Sequence, residues 1–281
     1  MRLMKAQEYY KALPLLQEAR INTLFAQSVA IGNVSGKIYC NDKQEPDVFY
    51  IHHPYGMTLL IGNTEDGSFN SSLKPYLLGK SVERNRKELM QVWPLFWEEV
   101  LNTLLGPEVI KPDTKALGDE TGPVSSVLQY ERVNFRFSHE QYLKTKENLD
   151  YANIDIRPLV LEDFDMIDGS VVPKKFWDSK EDFDKKASGV CLWKDGQIAS
   201  TAFASYMVDN YLEIGIETHP EYRGRGYASL VSSGLIDYAM EKRLEPVWSC
   251  HSENAGSQRL AARLGFIQER RIPYYELPFS V

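Results

Sequence analysis

The sequence predicts a mixed α/β (α+β) chain in two parts: an N-terminal α/β domain over residues 1–150, then a mixed sheet flanked by helices over residues 151–281. Three observations carry this. From residue 154 onward, strand-like and helix-like stretches follow one another as β-α-β-β-β-α-β-α-β, the order of a mixed sheet with helices packed on it. Within that order, residues 211–244 read as a single strand–turn–helix unit built around two glycines. Before it, residues 138–152 are dominated by charge and polarity, which marks the boundary. A chain of 281 residues is long enough for two modest domains.

In the first half, Tyr9, Leu13, Leu16 and Ala19, then Ile21, Leu24, Phe25 and Val29, recur at helical spacing and predict helix over residues 6–30. Pro14 kinks or restarts it. Short strands are expected at 37–40, 48–52 and 57–61, the last two joined by Pro54-Tyr55-Gly56. Residues 81–105 are helical in pattern, with Leu89, Met90, Trp93, Phe96, Trp97, Val100, Leu101 and Leu104, and Pro94 marks a break or a new start. Residues 111–122 read as polar turn, and 125–137 as a strand.

In the second half, residues 154–159 read as a strand and 161–168 as a short helix. Residues 174–186 are polar with spaced aromatics. Asp195-Gly196 between two apolar runs is a hairpin signal. Leu212, Ile214 and Ile216 then alternate with Glu213, Gly215 and Glu217, a strand with one apolar face and one face carrying two carboxylates. Beyond the turn, Leu230, Val231, Leu235, Tyr238 and Ala239 form one helical stripe. Residues 247–251 read as a strand. Asn254 is a good N-cap for a helix running to Leu264, which Gly265 and Phe266 end as a Schellman motif. A strand or strand pair closes the chain at 267–277.

The turn Glu221-Tyr222-Arg223-Gly224-Arg225-Gly226-Tyr227-Ala228 is the feature with chemistry. A helix beginning in a glycine turn presents unpaired N–H groups and the positive end of its dipole. Two arginines add charge, so an anion, in particular a phosphate, belongs here. The net charge of −7 makes this a local basic feature and argues against a general nucleic-acid binder. A Walker loop needs a glycine run ending in Lys-Ser or Lys-Thr, and a Rossmann turn needs a third glycine where Ser229 stands; neither is present. Three cysteines far apart, Cys40, Cys191 and Cys250, show neither metal spacing nor a disulfide framework. With no signal-peptide core at the N-terminus and no membrane-length apolar run, a cytoplasmic protein is expected.

Arg223-x-x-Gly226-x-Ala228 resembles the R/Q-x-x-G-x-G/A signature of the GNAT superfamily of acyl-CoA-dependent N-acyltransferases. Asn254-x-x-Ser257-x-x-Leu260 with Leu264-Gly265-Phe266 resembles that family's second helix, and the resemblance covers roughly the last 130 residues, one small domain. It implies a GNAT-like sheet in the C-terminal half and a degenerate, GNAT-like partner in the N-terminal half. It also implies acetyl-CoA as donor, with its diphosphate on Arg223, Gly224, Arg225, Gly226, Tyr227 and Ala228. Ile216 and Thr218 would pair with the pantetheine arm, and Asn254 and Ser257 belong to the same site. Ala261 stands where many members carry a tyrosine that protonates the leaving sulfur. Ser257, Ala261 and the extra N-terminal half are similar to a two-domain subgroup that includes zwittermicin-type resistance acetyltransferases.

Acyl transfer to an amine also needs a proton acceptor. Glu213 and Glu217 share a strand face but stand about 13 Å apart, too far to share a proton. Either one acts alone through water, or both belong to a solvated, salt-bridged face. Ser249, on one strand face with Val247 and His251, positions water or substrate rather than acting as a base. Cys250 is a candidate nucleophile or a buried structural thiol, and His219 a loop or cap residue. His52 and His53 cannot face one metal from a regular strand, and Trp93 and Trp97 belong to a core. The reading that results is an acetyl-CoA-dependent N-acetyltransferase acting on the primary amine of a small molecule, with no nucleic-acid or membrane partner. The alternative is a non-catalytic acyl-CoA-binding sensor or adaptor.

Overall fold

The computed structural model describes residues 1–81, 84, 86–112, 126–152 and 154–279. The chain forms two compact units, one of Met1–Val133, His251–Glu253 and Arg270–Val281, the other of Asn134–Cys250 and Asn254–Glu269. The elements run β1 (Arg2–Leu3), α1 (Leu13–Glu18), α2 (Leu24–Ala30), β2 (Lys37–Cys40), β3 (Val48–His52), β4 (Met57–Gly62), α3 (Gly67–Leu77), β5 (Glu88–Trp93), α4 (Trp97–Leu105), β6 (Val109–Ile110) and β7 (Val127–Phe137). They continue with α5 (His139–Lys146), β8 (Asp155–Pro158), α6 (Lys180–Lys186), β9 (Gly189–Lys194), β10 (Gln197–Val208), β11 (Tyr211–Thr218), α7 (Tyr227–Glu241), β12 (Glu245–His251), α8 (Ala255–Arg263) and β13 (Phe266–Leu277). This is the mixed α/β architecture expected; its second half runs β-α-β-β-β-α-β-α-β, with α6 as the first helix in place of the one expected at 161–168.

In the first unit, β2, β3 and β4 pair antiparallel in sequence, and β4 then lies parallel to β5. Helix α3 is the crossover that this parallel pair requires. Asp66 caps it by accepting from the Phe69 N–H. The C-terminal end of β13 joins β5 antiparallel, from Tyr274 opposite Gln91 to Leu277 opposite Glu88. Phe69, Leu73 and Leu77 of α3 meet Trp97 and Leu101 of α4 over Tyr50, Leu60, Met90 and Val92 of the sheet. Trp97 is therefore part of the core: it is fully buried, and its indole N–H donates to the Gly62 carbonyl at 3.3 Å, whereas Trp93 is half-buried at the end of β5.

Two helical expectations for this unit need correction. Residues 6–30 do not form one helix: a 3₁₀ stretch, Ala6–Ala12, precedes α1, Pro14 sits in the first turn of α1, and α2 starts anew after Thr23. Residues 88–93 are not helical but form β5. A strand buried on both faces shows an almost continuous apolar run, which periodicity does not separate from a buried helix. Pro94, which has no N–H to donate, divides that strand from α4. Residues 82, 83 and 85 of that stretch, and 113–125 of the expected polar turn and strand start, lie outside the described residues.

In the second unit, β8, β9, β10 and β11 pair antiparallel in that order, and β12 lies parallel to β11. Asp195 (φ 53°) and Gly196 (φ 79°) make the β9–β10 turn, both left-handed as a two-residue hairpin of this kind requires. Val190 of β9 approaches Gly234 of α7 and is paired with Ala202, which is paired with Ile216. Alternation therefore puts Leu212, Ile214 and Ile216 on the α7 face of β11, and Glu213, Gly215 and Glu217 on the opposite face. That opposite face is covered too: Ile167 and Val172 pack with Cys191, and Phe176 lies against Phe203 and Tyr206. This burial is why Glu213 is only 4% exposed.

The helix expected at 161–168 is only a 3₁₀ turn, Leu161–Asp163, opened by Asp163 accepting from the Val160 N–H and not continued as an α-helix. Helices α5 and α6, each opened by a serine N-cap (Ser138, Ser179), were not read from the sequence because their faces are mostly charged. Helix α5 occupies the polar stretch at 138–152. Its Tyr142 is fully buried, with its hydroxyl 2.7 Å from Ser233 Oγ and donating to Asp237 Oδ1 at 2.7 Å.

Candidate active site

The glycine turn follows directly from β11. His219 and Pro220 lead into a 3₁₀ turn, Pro220–Tyr222, and α7 begins at Tyr227 with Gly226 as its N-cap. Gly224 (φ 79°) and Gly226 (φ 82°) both adopt left-handed backbone, and no heavy atom lies within 4 Å of where a Cβ on either would stand. The N-cap contributes no side-chain acceptor. The turn is thus open at both glycines and runs into the positive end of a 15-residue helix, with the Ser229 N–H taken up by the Gly226 carbonyl at 3.0 Å; an uncapped helix start behind a glycine turn is the kind of arrangement that binds phosphate.

The turn is anchored from below. Tyr222 is 5% exposed, accepts from Gln197 Nε2 at 2.8 Å and donates to Asp195 Oδ2 at 3.3 Å. The Arg225 guanidinium lies over its ring, 5.1 Å from the centroid, and donates to the Glu221 carbonyl at 3.2 Å. Arg223 donates through Nε to the Thr218 carbonyl at 3.1 Å, with its side chain 59% exposed. Both arginines therefore keep charge at the turn while one edge of each guanidinium is held. Tyr222 was not singled out from the sequence; its position directly before the Arg-Gly-Arg-Gly run was the available signal.

The parallel register of β11 and β12 runs from Tyr211 opposite Glu245 to Glu213 opposite Val247, and both strands continue past it, to Thr218 and to His251. Ile216 and Thr218 sit on that continuation, paired on the other side with Ala202 and Ser200. At the end of the paired stretch, the Ser249 hydroxyl donates to Glu213 Oε1 at 2.7 Å. This joins two of the expected site residues in one contact. Pro246, Trp248 and Cys250 are buried, and Val247, Ser249 and His251 are half-buried on the other face.

Glu217, the third candidate, is bound differently. Its Oε2 accepts from the backbone N–H groups of Ser170 and Val171, at 2.8 and 3.0 Å, and from the Ser170 hydroxyl at 3.2 Å. The segment at 169–171 carries no motif, so this contact is not legible in the sequence. His219 packs on Tyr222, with ring centroids 5.8 Å apart, as a turn residue.

Helix α8 begins as the sequence indicates: the Asn254 side chain accepts from the Ser257 N–H at 2.9 Å. Ser257 Oγ in turn accepts from the Trp248 indole at 3.1 Å, which ties the helix start to β12. Gly265 follows the helix in left-handed backbone (φ 83°), and the buried Phe266 packs on Trp248. Ala261 is fully buried and offers no acid. His52 and His53 do not share a ligand: His52 Nε2 lies 3.6 Å from Glu88 Oε1, whereas His53 Nδ1 accepts from the Tyr55 N–H at 3.1 Å. Among the described residues, no group of three or more His, Cys, Asp or Glu is placed to hold a metal, and no helix is long and apolar enough to cross a membrane.

Comparison with known proteins agrees with this geometry. The profile of the GNAT acetyltransferases matches residues 14–275. An N-acetyltransferase of Bacillus subtilis (strain 168), YdfB, described as uncharacterized, is 24% identical over 264 residues, 92% of this chain and 91% of that protein. Among solved structures, a GCN5-related N-acetyltransferase-like protein from Streptococcus suis 89/1591 superposes with a TM-score of 0.69 at 18% identity, covering 97% of this chain and 100% of that one. A tandem GNAT protein from the clavulanic acid biosynthesis pathway gives a TM-score of 0.62 at 9% identity, over 99% and 97% of the two chains. Two-unit architecture, glycine turn and matched profile converge: the chain belongs to the GNAT acetyltransferase family.

Proposed function

We propose that the protein transfers an acetyl group from acetyl-CoA to the primary amine of a small molecule by direct attack of the amine on the thioester. The observation that carries this reading is the turn at Arg223–Ala228, where two left-handed glycines leave the chain open at the positive end of α7, beside two arginines. Arg223, Gly224, Arg225, Gly226, Tyr227 and Ala228 would hold the diphosphate. Ile216 and Thr218, on the part of β11 beyond its register with β12, would pair with the pantetheine arm, and Asn254 and Ser257 would flank it. When bound, acetyl-CoA supplies the acetyl group as a thioester.

Glu213 and Ser249 manage the proton. The Ser249 hydroxyl donates its hydrogen to Glu213 Oε1, and a hydroxyl that donates in this way retains acceptor capacity toward an amine N–H or an intervening water. The proton leaving the amine as the C–N bond forms passes to this pair. As the C–S bond breaks, the sulfur takes its proton from solvent, because Ala261 cannot supply one. Ser257, Ala261 and the additional N-terminal half favour the narrower likeness to two-domain, zwittermicin-type resistance enzymes. The mixed α/β pattern of the first half, without a phosphate turn, favours a degenerate, non-catalytic role for it.

Calorimetry with acetyl-CoA tests the donor site. Binding by the wild type that weakens when Arg223 or Gly226 is replaced supports the reading; no binding, or binding indifferent to both changes, overturns it. A screen of small amines for CoA release separates an enzyme from an acyl-CoA-binding sensor.

A further inference from the structure

Glu217 stands on the same face of β11 as Glu213, yet its carboxylate is already engaged. Two backbone N–H groups and one hydroxyl of the 170–171 segment converge on Oε2, and Oε1 lies 3.5 Å from Arg223 Nη2. The side chain is 11% exposed. A Cβ on Gly169 would overlap this same carboxylate, and Gly169 has φ 145°, so the loop backbone is shaped around it. Successive N–H groups of this kind form a nest for an anion, and here the anion is the protein's own. A proton arriving at Oε2 would compete with the bonds that hold the loop, and one arriving at Oε1 would face the Arg223 guanidinium.

We propose that Glu217 is a positioning residue rather than the proton acceptor: it clamps the Gly169–Val171 segment to the end of β11 as a fixed wall beside the acceptor's approach. This rests on the acyl-transfer reading above. The segment's place follows from its neighbours. Val172, directly after it, packs with Cys191 of β9, and Phe176 packs on Phe203 and Tyr206, which are the partners of Gly215 and Glu213 across β10 and β11. The segment therefore lies over the face of β11 on which Glu213 stands. Through Arg223 the same carboxylate also touches the phosphate turn. One side chain thus braces the donor side and the acceptor side of the reacting centre. Its loss weakens acceptor binding and leaves proton transfer with Glu213 and Ser249.

Two measurements on the full-length protein test this. In hydrogen exchange, Glu217→Ala speeds exchange at Ser170 and Val171 by about tenfold or more while α7 is unchanged. Gly169→Ala, which crowds the carboxylate from the loop side, loosens the same amides and keeps the test open should Glu217→Ala fail to fold. In turnover with an amine found by the screen, Glu217→Gln raises the KM for the amine about tenfold and leaves kcat and the acid limb of its pH profile in place. Unchanged exchange in both alanine variants overturns the clamp. A fall in kcat of about a hundredfold with loss of the acid limb in Glu217→Gln makes Glu217 the base and overturns it as well. Failure of the wild type to bind acetyl-CoA in calorimetry is a different result: it removes the acyl-transfer reading, while the exchange data still decide whether the clamp exists.

Discussion

Ser249 of β12 donates its hydroxyl hydrogen to Glu213 of β11 across 2.7 Å, two residues past the point where Glu213 stands level with Val247. The contact is diagonal: the carboxylate reaches forward along the neighbouring strand. It brings a buried acidic group to a half-buried hydroxyl, and under the proposed acyl transfer this contact would be the proton's route to its acceptor.

Glu213→Gln keeps the shape and removes the proton acceptor. The expected loss is about 10²–10⁴ in kcat, the range for a general base. Ser249→Ala removes the relay alone and is expected to cost about tenfold, the loss of one positioned hydrogen bond in the transition state. Acetyl-CoA affinity stays close to wild type in both. Steady-state CoA release and calorimetry check the two halves; an unimpaired Glu213→Gln enzyme would reject the assignment.

Gly226→Ala forces a residue with a Cβ into left-handed backbone, which costs about 1–2 kcal/mol and disturbs the N–H groups at the start of α7. Acetyl-CoA binding is expected to fall about tenfold or more. Arg223→Ala removes one exposed charge, so its loss is smaller and shrinks as salt rises. Titrations at low and high ionic strength distinguish a conformational contribution from a screened one.

Tyr142→Phe tests the docking of α5 on α7. The hydroxyl meets Ser233 and Asp237, and Asp237 Oδ2 also holds Lys146 Nζ at 2.6 Å. Removing it leaves a buried serine and one lone pair of Asp237 without that partner, for a cost of about 1–3 kcal/mol. Urea unfolding followed by a probe in the second unit should show a lower midpoint with an unchanged slope.

His53 makes the first unit less stable in acid. Burial, helped by the neighbouring charges of His52 and Arg86, depresses its imidazole from 6.5 to about 3. The unfolded chain takes up a proton near pH 6.5 that the folded one refuses, so the stability present above pH 6.5 is lost progressively as pH falls toward 3. Between pH 6.5 and pH 5 this amounts to about 2 kcal/mol. Chemical denaturation at pH 7 and pH 5 should show the drop, and His53→Asn should flatten it.

What the sequence disclosed and what it hid divide along physical lines. The glycine turn, the Asp195-Gly196 hairpin, the Asn254 cap and the Gly265 stop were legible because each is a local device whose residue types are fixed by backbone geometry. Glu88–Trp93 was misread because burial on both faces erases alternation. Helices α5 and α6 were missed because their stripes are short: a single buried residue, Tyr142 or Phe183, marks each. The site was legible as a set of residues but not as a set of contacts. Glu213 and Glu217 look equivalent in sequence, four positions apart on one strand. Only the approach of Ser249 to one, and of Ser170 and Val171 to the other, distinguishes them.

The division of the chain into units also sets the order in which it can be assembled. The first unit includes residues 270–281, of which Tyr274–Leu277 pair with β5, although the whole of the second unit is synthesised in between. On the ribosome the first unit therefore waits for the last strand, with one side of β5 lacking that partner, while the segment for the second unit emerges and folds. For the same reason, a cut at residue 150 parts residues 270–281 from the rest of the first unit. It leaves the C-terminal fragment carrying a strand end whose partner has been removed, so the roles of the two units are better dissected by substitution than by truncation.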